Sequence, residues 1–495
     1  MSKGATALYR FLAPLLAGAI FTLGLSPFDI WVAVPLSAAL LVALLHMPHR
    51  CSDFAIGWCY GLGLFASGAS WVYVSIHVYG GATVPLAALM TGAFCAGLAL
   101  LFALQAYVYG RWFKHLGTWA ICASFPALWV LFEWLRSWLL TGFPWLYAGY
   151  AAIDTPLAGW APVVGVYGAS LWLVGFGAAT TAIFLAPRKT RVRLAVFLGV
   201  LAIFASGGTI LKHVEWTKPF GQPIQVALYQ PNIDLEDKWD RLLFRRHLDQ
   251  YRDATLPLYS QSDIILWPES ALPAYRHQVA PFLNEMDKLA RQHNSALITG
   301  IPMRTDSGRH NSIIAVGNGA GEHHKQKLVP FGEYVPLEQW LRGIIGFFDL
   351  PMSSFTPGPK QAPRLTVGEL IIAPFICYEI VYPDFVSRYS AGSNLLVTVS
   401  NDSWFGASIG PLQHLQMARF RALEAGLPLL RGTNNGISAI IGRRGEILAQ
   451  SEQFTESTLV ANVQARSGNT IITQIGHWPI LAACLVLLLL SRRAR

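Results

Sequence analysis

The sequence predicts a protein of two parts: an α-helical membrane domain of about eight transmembrane helices and an extracytoplasmic α/β domain. The chain of 495 residues is 53% hydrophobic and only 13% charged, with a mean hydropathy of +0.40, whereas soluble domains carry roughly 25% charged residues. Long apolar stretches fill residues 1–216 and return after residue 473, and short β-type runs alternate with amphipathic segments between them. This composition excludes a disordered chain, a disulfide-rich secreted scaffold and a wholly soluble enzyme.

Several apolar stretches approach the roughly 20 residues that a helix needs to cross a bilayer. They lie near residues 10–26, 28–47, 54–76, 83–109, 118–140, 156–186, 194–214 and 476–491. We expect the first stretch to be retained, because it lacks the small-x-small site of a cleaved signal peptide and leads directly into the second. The stretch 156–186 is long enough to contain a break. Residues 1–216 are therefore predicted to form a membrane domain with seven transmembrane helices, and residues 474–495 a final helix with a basic cytoplasmic tail.

The positions of Lys and Arg predict the topology. The formal net charge is +9, and the excess flanks the apolar stretches, because residues 217–473 contain as many basic as acidic side chains. A nucleic-acid partner therefore has no support. With eight spans, the basic residues of the short connections fall on one side of the membrane and only Arg136 falls on the other, which predicts that both termini are cytoplasmic. Residues 217–473 would then lie in the periplasm of a bacterium, anchored in the inner membrane. One span more or fewer would reverse this orientation.

Residues 217–473 have the pattern of an α/β domain. Strands are predicted at Ile224–Tyr229, Ile264–Trp267, Ala296–Ile301, Ser312–Val316, Leu370–Ile376, Leu395–Val399, Leu429–Arg431 and Ser438–Ile441, and helices at about 241–260, 279–294 and 411–425. Strands that alternate with helices favour a mainly parallel sheet, whose chemistry usually lies where the strands end.

One cysteine lies in this domain. The other five of the six belong to the apolar stretches or their borders, where a small buried side chain is the ordinary interpretation. Cys377 follows the run Leu370–Ile376 and has no partner for an internal disulfide, so it is either a bystander or a catalytic thiol.

Two further strand ends carry groups that would activate such a thiol. Glu269 follows the run Ile264–Trp267, and Lys325 precedes a turn-rich segment. A thiol has a reference pKa of about 8.5 and needs a base to become nucleophilic. A carboxylate accepts that proton, and an ammonium group stabilises the oxyanion that forms when the thiolate attacks a carbonyl. The three side chains are sufficient for acyl transfer.

Three segments together resemble the carbon–nitrogen hydrolase (nitrilase) superfamily. They are Trp267-Pro-Glu269, Lys325-x-x-Leu-Val-Pro-Phe-Gly-Glu333 and Cys377-Tyr378-Glu379. The resemblance implies a Glu–Lys–Cys triad in a four-layer α-β-β-α sandwich. The apolar spans on both sides, with segments 70–80 and 133–145, are similar to the membrane-embedded branch, the apolipoprotein N-acyltransferases. Two positions depart from the family pattern: Lys327 stands where many members have His, and His323-His324 where an aromatic residue is common.

The resemblance implies roles for individual residues. Glu269 would be the general base, Lys325 the oxyanion stabiliser and Cys377 the nucleophile. Supporting roles fall to Glu333, which would orient the lysine, and to Tyr378 and Glu379. Glu333 is equally well interpreted as the partner of another cation, and Tyr378 as a packing residue. Trp239 matches a substrate-contacting tryptophan, although it is equally well interpreted as a surface aromatic. No cofactor and no metal are expected, because His323 and His324 are adjacent and are interpreted as a solvated turn.

The implied reaction has two steps. Cys377 takes an acyl chain from the sn-1 ester of a glycerophospholipid, and the thioester then passes it to the N-terminal α-amine of an S-diacylglyceryl-cysteine lipoprotein. Two rivals remain open. One is a membrane-tethered nitrilase or amidase, in which water discharges the thioester; the other is a transporter or receptor with an inactive nitrilase-like domain.

Two features predict contact with lipid. The apolar segment 344–355, with Phe347 and Phe348, is either a mobile arm that enters the bilayer surface or an ordinary buried loop. Glu133 and Arg136 are ionisable residues inside an apolar span. They either recognise a lipid headgroup or pair with each other at i,i+3 spacing.

Overall fold

The computed structural model describes residues 3–48, 51–335, 354–361 and 363–493. Each apolar stretch predicted from the sequence overlaps a helix. The helices are Lys3–Thr22, Ala33–His46, Asp53–Gly68, Val84–Trp112, Thr118–Arg136, Ala161–Leu185, Arg188–Leu211 and Trp478–Arg493. Several of them pack through small residues: a Cβ at Gly18 would overlap the carbonyl of Tyr60, and one at Gly63 the carbonyl of Leu15. Such contacts allow the close helix approach that is common inside membranes.

Fewer helices than expected are both long enough and apolar enough to cross a bilayer. Within the described ranges, four helices are long and apolar enough to cross a bilayer, and a fifth is added if the bent pair Asp53–Gly68 and Val72–Tyr79 forms one span. Ala33–His46 is apolar but has only 14 residues. The helix Ala161–Leu185 is broken at Gly165, where φ is +62°, within the stretch expected to contain a break. The number of about eight spans stays a prediction, as does the orientation.

Within the described residues, the α/β part contains two large sheets that pack face to face and a small one formed by Lys218–Pro219 and Arg466–Ser467. One sheet has the strand order 457–463, 224–230, 264–266, 296–305, 308–317, 322–324. The other has the order 447–450, 439–441, 429–433, 395–400, 370–376, 365–367, 319–320. Parallel pairs form the centre of each sheet. Buried aliphatic side chains from both sheets, such as Ile264, Ile298, Ile372 and Val397, fill the layer between them.

Helices cover the outer faces of both sheets. Phe244–Thr255 and Ala280–Gln292 cover the first sheet, and Pro383–Ser390 and Gly410–Ala425 the second. These layers form the expected α-β-β-α sandwich. The helix Gly410–Ala425 has buried residues on almost every face because it lies between its sheet and apolar helices such as Ala161–Leu185. The α/β part is therefore packed directly against the apolar part.

The predicted strands and helices of this part are present, with ends that differ by a few residues. Several further elements were not predicted from the sequence: the strands Glu322–His324, Leu365–Val367, Ile447–Gln450 and Ser457–Val463, and the helix Pro383–Ser390. Ser457–Val463 alternates half-buried positions with the exposed Thr458, Val460 and Asn462 and ends on the buried Val463, as expected for a strand at the edge of its sheet.

Candidate active site

The strand Leu370–Ile376 ends in a tight turn that presents Cys377. This residue has φ of +50°, and a 3₁₀ turn, Cys377–Val381, begins there. Left-handed backbone at a residue other than glycine costs about 1–3 kcal/mol and is found mainly at functional sites. The thiol is half-buried at the carboxyl edge of the parallel strands.

Glu269 and Lys325 meet at the same edge, although 56 positions separate them in the sequence. Glu269 lies three residues after the strand Ile264–Leu266, and Lys325 directly follows Glu322–His324. Their side chains are buried, and Lys325 Nζ lies 3.4 Å from Glu269 Oε1. The ends of two strands in one sheet thus bring the predicted base and the predicted oxyanion stabiliser together.

Cys377 reaches this pair across the two sheets. The neighbouring parallel strand places Val399 level with Ile376, so Ser400 and Asn401 lie beside the nucleophile turn. The backbone N–H of Asn401 donates to Glu269 Oε2 at 2.8 Å. The charges of Glu269 and Lys325 both act on the Cys377 thiol. The structure thus brings the three predicted catalytic side chains near one another, where the facing sheets end.

A second carboxylate and an amide complete the cluster. Glu333 Oε1 lies 2.9 Å from Lys325 Nζ, and its Oε2 accepts the backbone N–H of Val329 at 2.8 Å. Asn311 Nδ2 donates to Glu269 Oε1 at 2.7 Å and to Glu333 Oε1 at 2.8 Å. Sequence analysis missed Asn311; the available clue was a polar side chain inside a buried strand. Glu333 and Asn311 fix the positions of the lysine and of the carboxylate beside it.

The cluster sets the protonation states. Burial lowers the pKa of Lys325, but the carboxylates of Glu333 and Glu269 outweigh it, so the net pKa lies above the ordinary 10.5. Burial, followed by the charge of Glu269, raises the pKa of the Cys377 thiol well above 9.0. Lys325 is therefore an ammonium group at neutral pH and Cys377 a neutral thiol. Nucleophilic attack requires that a neighbouring base take the thiol proton as the new bond forms.

Glu379 links the turn Cys377–Val381 to the segment that follows Lys325. Its Oε1 accepts the backbone N–H of Gln326 at 2.6 Å, and its Oε2 accepts the N–H of Ile376 at 2.9 Å. The Oε2 atom also lies 3.0 Å from His323 Nε2. The interpretation of His323 as part of a solvated turn is wrong: it is fully buried in the strand Glu322–His324, because it pairs with this buried carboxylate. His324 is half-buried and hydrogen-bonds Ser312.

Three buried polar residues, His414, Asp402 and Arg431, form a hydrogen-bonded cluster next to the Cys377 main chain. His414 Nε2 lies 3.2 Å from the Cys377 carbonyl oxygen, and its Nδ1 lies 3.2 Å from Asp402 Oδ1. Asp402 also pairs with Arg431 at 2.5 Å. Burial raises the pKa of Asp402, but the Arg431 charge outweighs it and holds the net pKa far below its usual range. None of these three residues was singled out from the sequence, because each belongs to an otherwise ordinary helix, turn or strand.

The residues after Cys377 contact the loop that follows the helix Thr118–Arg136. Tyr378 Oη donates to the carbonyl of Gly142 at 3.0 Å, and Tyr382 Oη to that of Thr141 at 3.0 Å. Both donors are buried. These hydrogen bonds fix the nucleophile turn to the apolar part of the protein.

Arg136 is engaged within the protein. It is 3% exposed, donates to the carbonyls of Trp145 and Leu146, and packs over the rings of Phe65 and Tyr147. Glu133 instead accepts from Trp129 and from the backbone of Ala148. The described contacts include no ion pair between Glu133 and Arg136. Recognition of a lipid headgroup by Arg136 stays a prediction.

Trp239 lines a cavity whose wall also includes Lys238, a neighbour of Glu269. The cavity has a volume of about 1100 Å³ and lies between the segments 235–244, 273–278 and 302–309 and the turn near Tyr79. Trp239 is 39% exposed, so its side chain is accessible from this space. Its predicted contact with substrate stays a prediction. Phe347 and Phe348, with most of the proposed arm, lie outside the described residues.

Comparison with known proteins agrees with this geometry. Residues 17–179 match the model of the apolipoprotein N-acyltransferase N-terminal domain, and residues 225–471 match the carbon–nitrogen hydrolase model. An apolipoprotein N-acyltransferase of Pseudomonas syringae pv. tomato is 46% identical over 96% of this chain and 95% of the relative. The chain belongs to the apolipoprotein N-acyltransferase family. A member of that family from Vibrio vulnificus is 40% identical over 96% of this chain and 94% of its own length.

Solved structures are similar to about half of this chain. An amidase from Nesterenkonia sp. aligns with 53% of this chain and 96% of its own, at 19% identity and a TM-score of 0.38. The carbon–nitrogen hydrolase match confirms the nitrilase-like α/β domain predicted from the sequence. Within the described part of the chain, no group of three or more His, Cys, Asp or Glu is arranged to hold a metal ion.

Proposed function

We propose that this acyltransferase moves a fatty acyl chain from the sn-1 position of a glycerophospholipid, through a thioester on Cys377, to the N-terminal α-amine of S-diacylglyceryl-cysteine lipoproteins. The single observation that carries the proposal is the 46% identity to an apolipoprotein N-acyltransferase along almost the whole chain. The clustered Glu269, Lys325 and Cys377 support it chemically.

The first half-reaction acylates the enzyme. Glu269 takes the proton of the Cys377 thiol while the sulfur attacks the ester carbonyl of the phospholipid. The resulting oxyanion is stabilised by the ammonium group of Lys325 and by the backbone N–H of Tyr378. When the intermediate collapses, the C–O bond breaks and the protonated Glu269 returns its proton to the departing lysophospholipid oxygen. The products are a thioester and a lysophospholipid.

The second half-reaction transfers the chain. The neutral α-amine of the acceptor attacks the thioester carbonyl, and Glu269 takes the proton that the new amide nitrogen loses. The C–S bond breaks, and the same proton returns to the Cys377 sulfur. The Lys325–Glu333 contact of 2.9 Å keeps the ammonium group in place through both steps. The cycle ends with an N-acylated lipoprotein and free thiol.

The proposed location is the inner membrane of a bacterium, with both termini cytoplasmic and the catalytic domain periplasmic. In this arrangement residues 1–216 and 474–495 form the membrane part and residues 217–473 the catalytic domain. The hydrogen bonds from Tyr378 and Tyr382 to the loop at 141–142 support a nucleophile that works beside the bilayer, where both lipid substrates reside.

A membrane-tethered hydrolase would use the same triad, because acylation is common to both reactions. The close packing of Gly410–Ala425 between its sheet and the membrane helices favours the transferase, since a tethered hydrolase needs only a single anchoring helix. The two reactions differ in the group that discharges the thioester.

Acyl transfer is tested with the purified full-length protein in phosphatidylethanolamine vesicles and a synthetic diacylglyceryl-cysteine peptide. We expect the peptide to gain the mass of one acyl chain, and Cys377→Ser to abolish the gain. Cys51→Ser serves as the control, because Cys51 lies in the apolar part. Release of free fatty acid without acylation of the peptide would establish the hydrolase instead.

A further inference from the structure

Lys238 is a buried cation beside the triad that the proposed mechanism does not use. Its side chain is 2% exposed, and Nζ donates to the backbone carbonyl of Glu269 at 3.0 Å. Among the residues that the structure describes, no carboxylate forms an ion pair with it. A buried charge is costly unless it is paired, and an ammonium group has three N–H donors. Lys238 therefore retains donors and an unbalanced charge that suit an anionic ligand.

Lys238 also forms part of the wall of the 1100 Å³ cavity, together with Arg241 and Arg309. Both arginines are exposed; within the described residues Arg241 has no ion pair, and Arg309 donates only to Ser354 Oγ at 3.3 Å. Glu236 and Asp240 line the same space. A cavity that offers three cations and two carboxylates matches a zwitterion that combines a phosphate with an amine. The acceptor's diacylglyceryl-cysteine carries no phosphate.

The position of Lys238 relative to the triad fits the size of a phospholipid. Lys238 contacts the main-chain oxygen of Glu269, and Lys325 contacts the carboxylate of the same residue at 3.4 Å. The two ammonium groups are therefore separated by about the extent of one glutamate. In a glycerophospholipid the three-carbon glycerol separates the sn-1 ester from the phosphate by a comparable number of bonds. An ester at Lys325 would place the phosphate within reach of Lys238.

We propose that Lys238, with Arg241 and Arg309 at the rim, binds the phosphodiester of the acyl donor and so selects glycerophospholipids over neutral glycerides. The inference rests on the proposed function and adds the donor's recognition group to it. Burial lowers the pKa of Lys238 to about 8, although the charge of Glu269 opposes this shift. The group is thus mostly protonated at neutral pH, and a bound phosphate would stabilise its charged form further.

The test compares two donors with the same acyl chains, phosphatidylethanolamine and diacylglycerol, in single-turnover acylation of Cys377 followed by intact mass. The variant Lys238→Met removes the charge and keeps the length of the side chain. We expect it to slow acylation by phosphatidylethanolamine at least 10-fold and to leave acylation by diacylglycerol unchanged. Lys238→Arg should restore most of the rate with phosphatidylethanolamine. The control Lys288→Met removes an exposed charge on the helix Ala280–Gln292 and should leave the acylation rate with both donors unchanged.

The unchanged diacylglycerol rate also shows that Lys238→Met is folded. An equal loss with both donors, also in Lys238→Arg, would overturn the proposal, because Lys238 would then act through Glu269. A loss confined to discharge by the acceptor peptide would overturn it as well, because the cavity would then bind the acceptor. No acyl-enzyme from either donor in the unaltered protein would refute the proposed function itself. An acyl-enzyme formed equally fast by Lys238→Met would refute only this inference.

Discussion

Replacing Lys325 with Met should destabilise the protein as well as abolish transfer. The ammonium group lies 2.9 Å from Glu333 Oε1 and 3.4 Å from Glu269 Oε1, and all three side chains are buried. Removing one partner of a buried ion pair costs about 3–5 kcal/mol, because the other charge stays buried without compensation. Here the Asn311 amide would be the remaining donor shared by both carboxylates. Loss of an oxyanion donor should also lower kcat by about 100- to 1000-fold.

The destabilisation should depend on pH with a defined sign. Burial already raises the pKa of Glu333 above its ordinary 4.5, while Lys325 opposes the shift. Without Lys325 that pKa rises further, so the folded variant binds a proton more tightly than the unfolded chain does. The stability deficit should therefore be largest at neutral and higher pH and diminish as the pH falls towards 4.5. In the unaltered protein the pKa of Lys325 is raised, so its stabilisation is fully present below 10.5.

The assay is thermal unfolding of Lys325→Met and the unaltered protein in one detergent at pH 5 and pH 8. Lys327→Met is the matched control, because Lys327 lies two residues away and packs over Tyr382 without a described ion pair. We expect the difference in Tm caused by Lys325→Met to be larger at pH 8 than at pH 5, and that caused by Lys327→Met to stay small. Equal differences at both pH values would refute the reasoning, since the loss would then come from packing alone.

Substitutions at three further residues test the rest of the cluster. Asn311→Leu removes the amide that donates to both carboxylates, and kcat/KM should fall about 10- to 100-fold; Asn311→Asp adds a third buried carboxylate and should have the lower Tm at pH 7. Burial raises the pKa of Glu379, but the charge of His323 outweighs it, so Glu379 stabilises the fold above pH 4.5 and loses that effect in acid. Glu379→Gln should lower Tm at pH 7 and flatten the acid side of a Tm-against-pH curve; an unchanged curve would contradict the structure. Tyr378→Phe removes the hydrogen bond to the Gly142 carbonyl, which is worth about 1 kcal/mol. Acylation by vesicle phospholipid should become about 5-fold slower, and acylation by a soluble thioester donor should keep its rate; measuring both rates in parallel tests this.

The sequence was sufficient to predict the α/β layers and to single out Glu269, Lys325 and Cys377, which the structure brings near one another; their catalytic roles stay predictions. The run Leu370–Ile376 is apolar throughout, and Leu395–Val399 has Thr398 as its one polar side chain, as expected for strands largely buried on both faces. Glu269 and Lys325 meet because their strands end at one edge of the same sheet, and Cys377 reaches them from the end of a strand in the facing sheet. Asn311, Lys238 and His414 were not predicted, because each acts through a partner far away in the sequence. Glu269 lies 31 positions from Lys238 and 42 from Asn311, and Cys377 lies 37 positions from His414.

The apolar part was less predictable in detail. Hydropathy located each helix but not its ends: the predicted span 28–47 became a helix of 14 residues, Ala33–His46. The span 54–76 became two helices that meet at 64°. Gly165 and Gly18 act through backbone conformation and close approach, which a hydropathy average does not register. The pairing of Arg136 with the carbonyls of Trp145 and Leu146 likewise depends on a loop whose course the sequence pattern does not specify.

The covalent intermediate tests the central claim most directly. The full-length protein is mixed with phosphatidylethanolamine of one chain length, digested, and the peptide that contains Cys377 is weighed. We predict a mass increase of one acyl group, cleaved by hydroxylamine as a thioester is, which disappears when diacylglyceryl-cysteine peptide is added and persists in buffer alone. An unmodified Cys377 in a protein that still acylates the peptide, or an acyl group on another side chain, would contradict this mechanism.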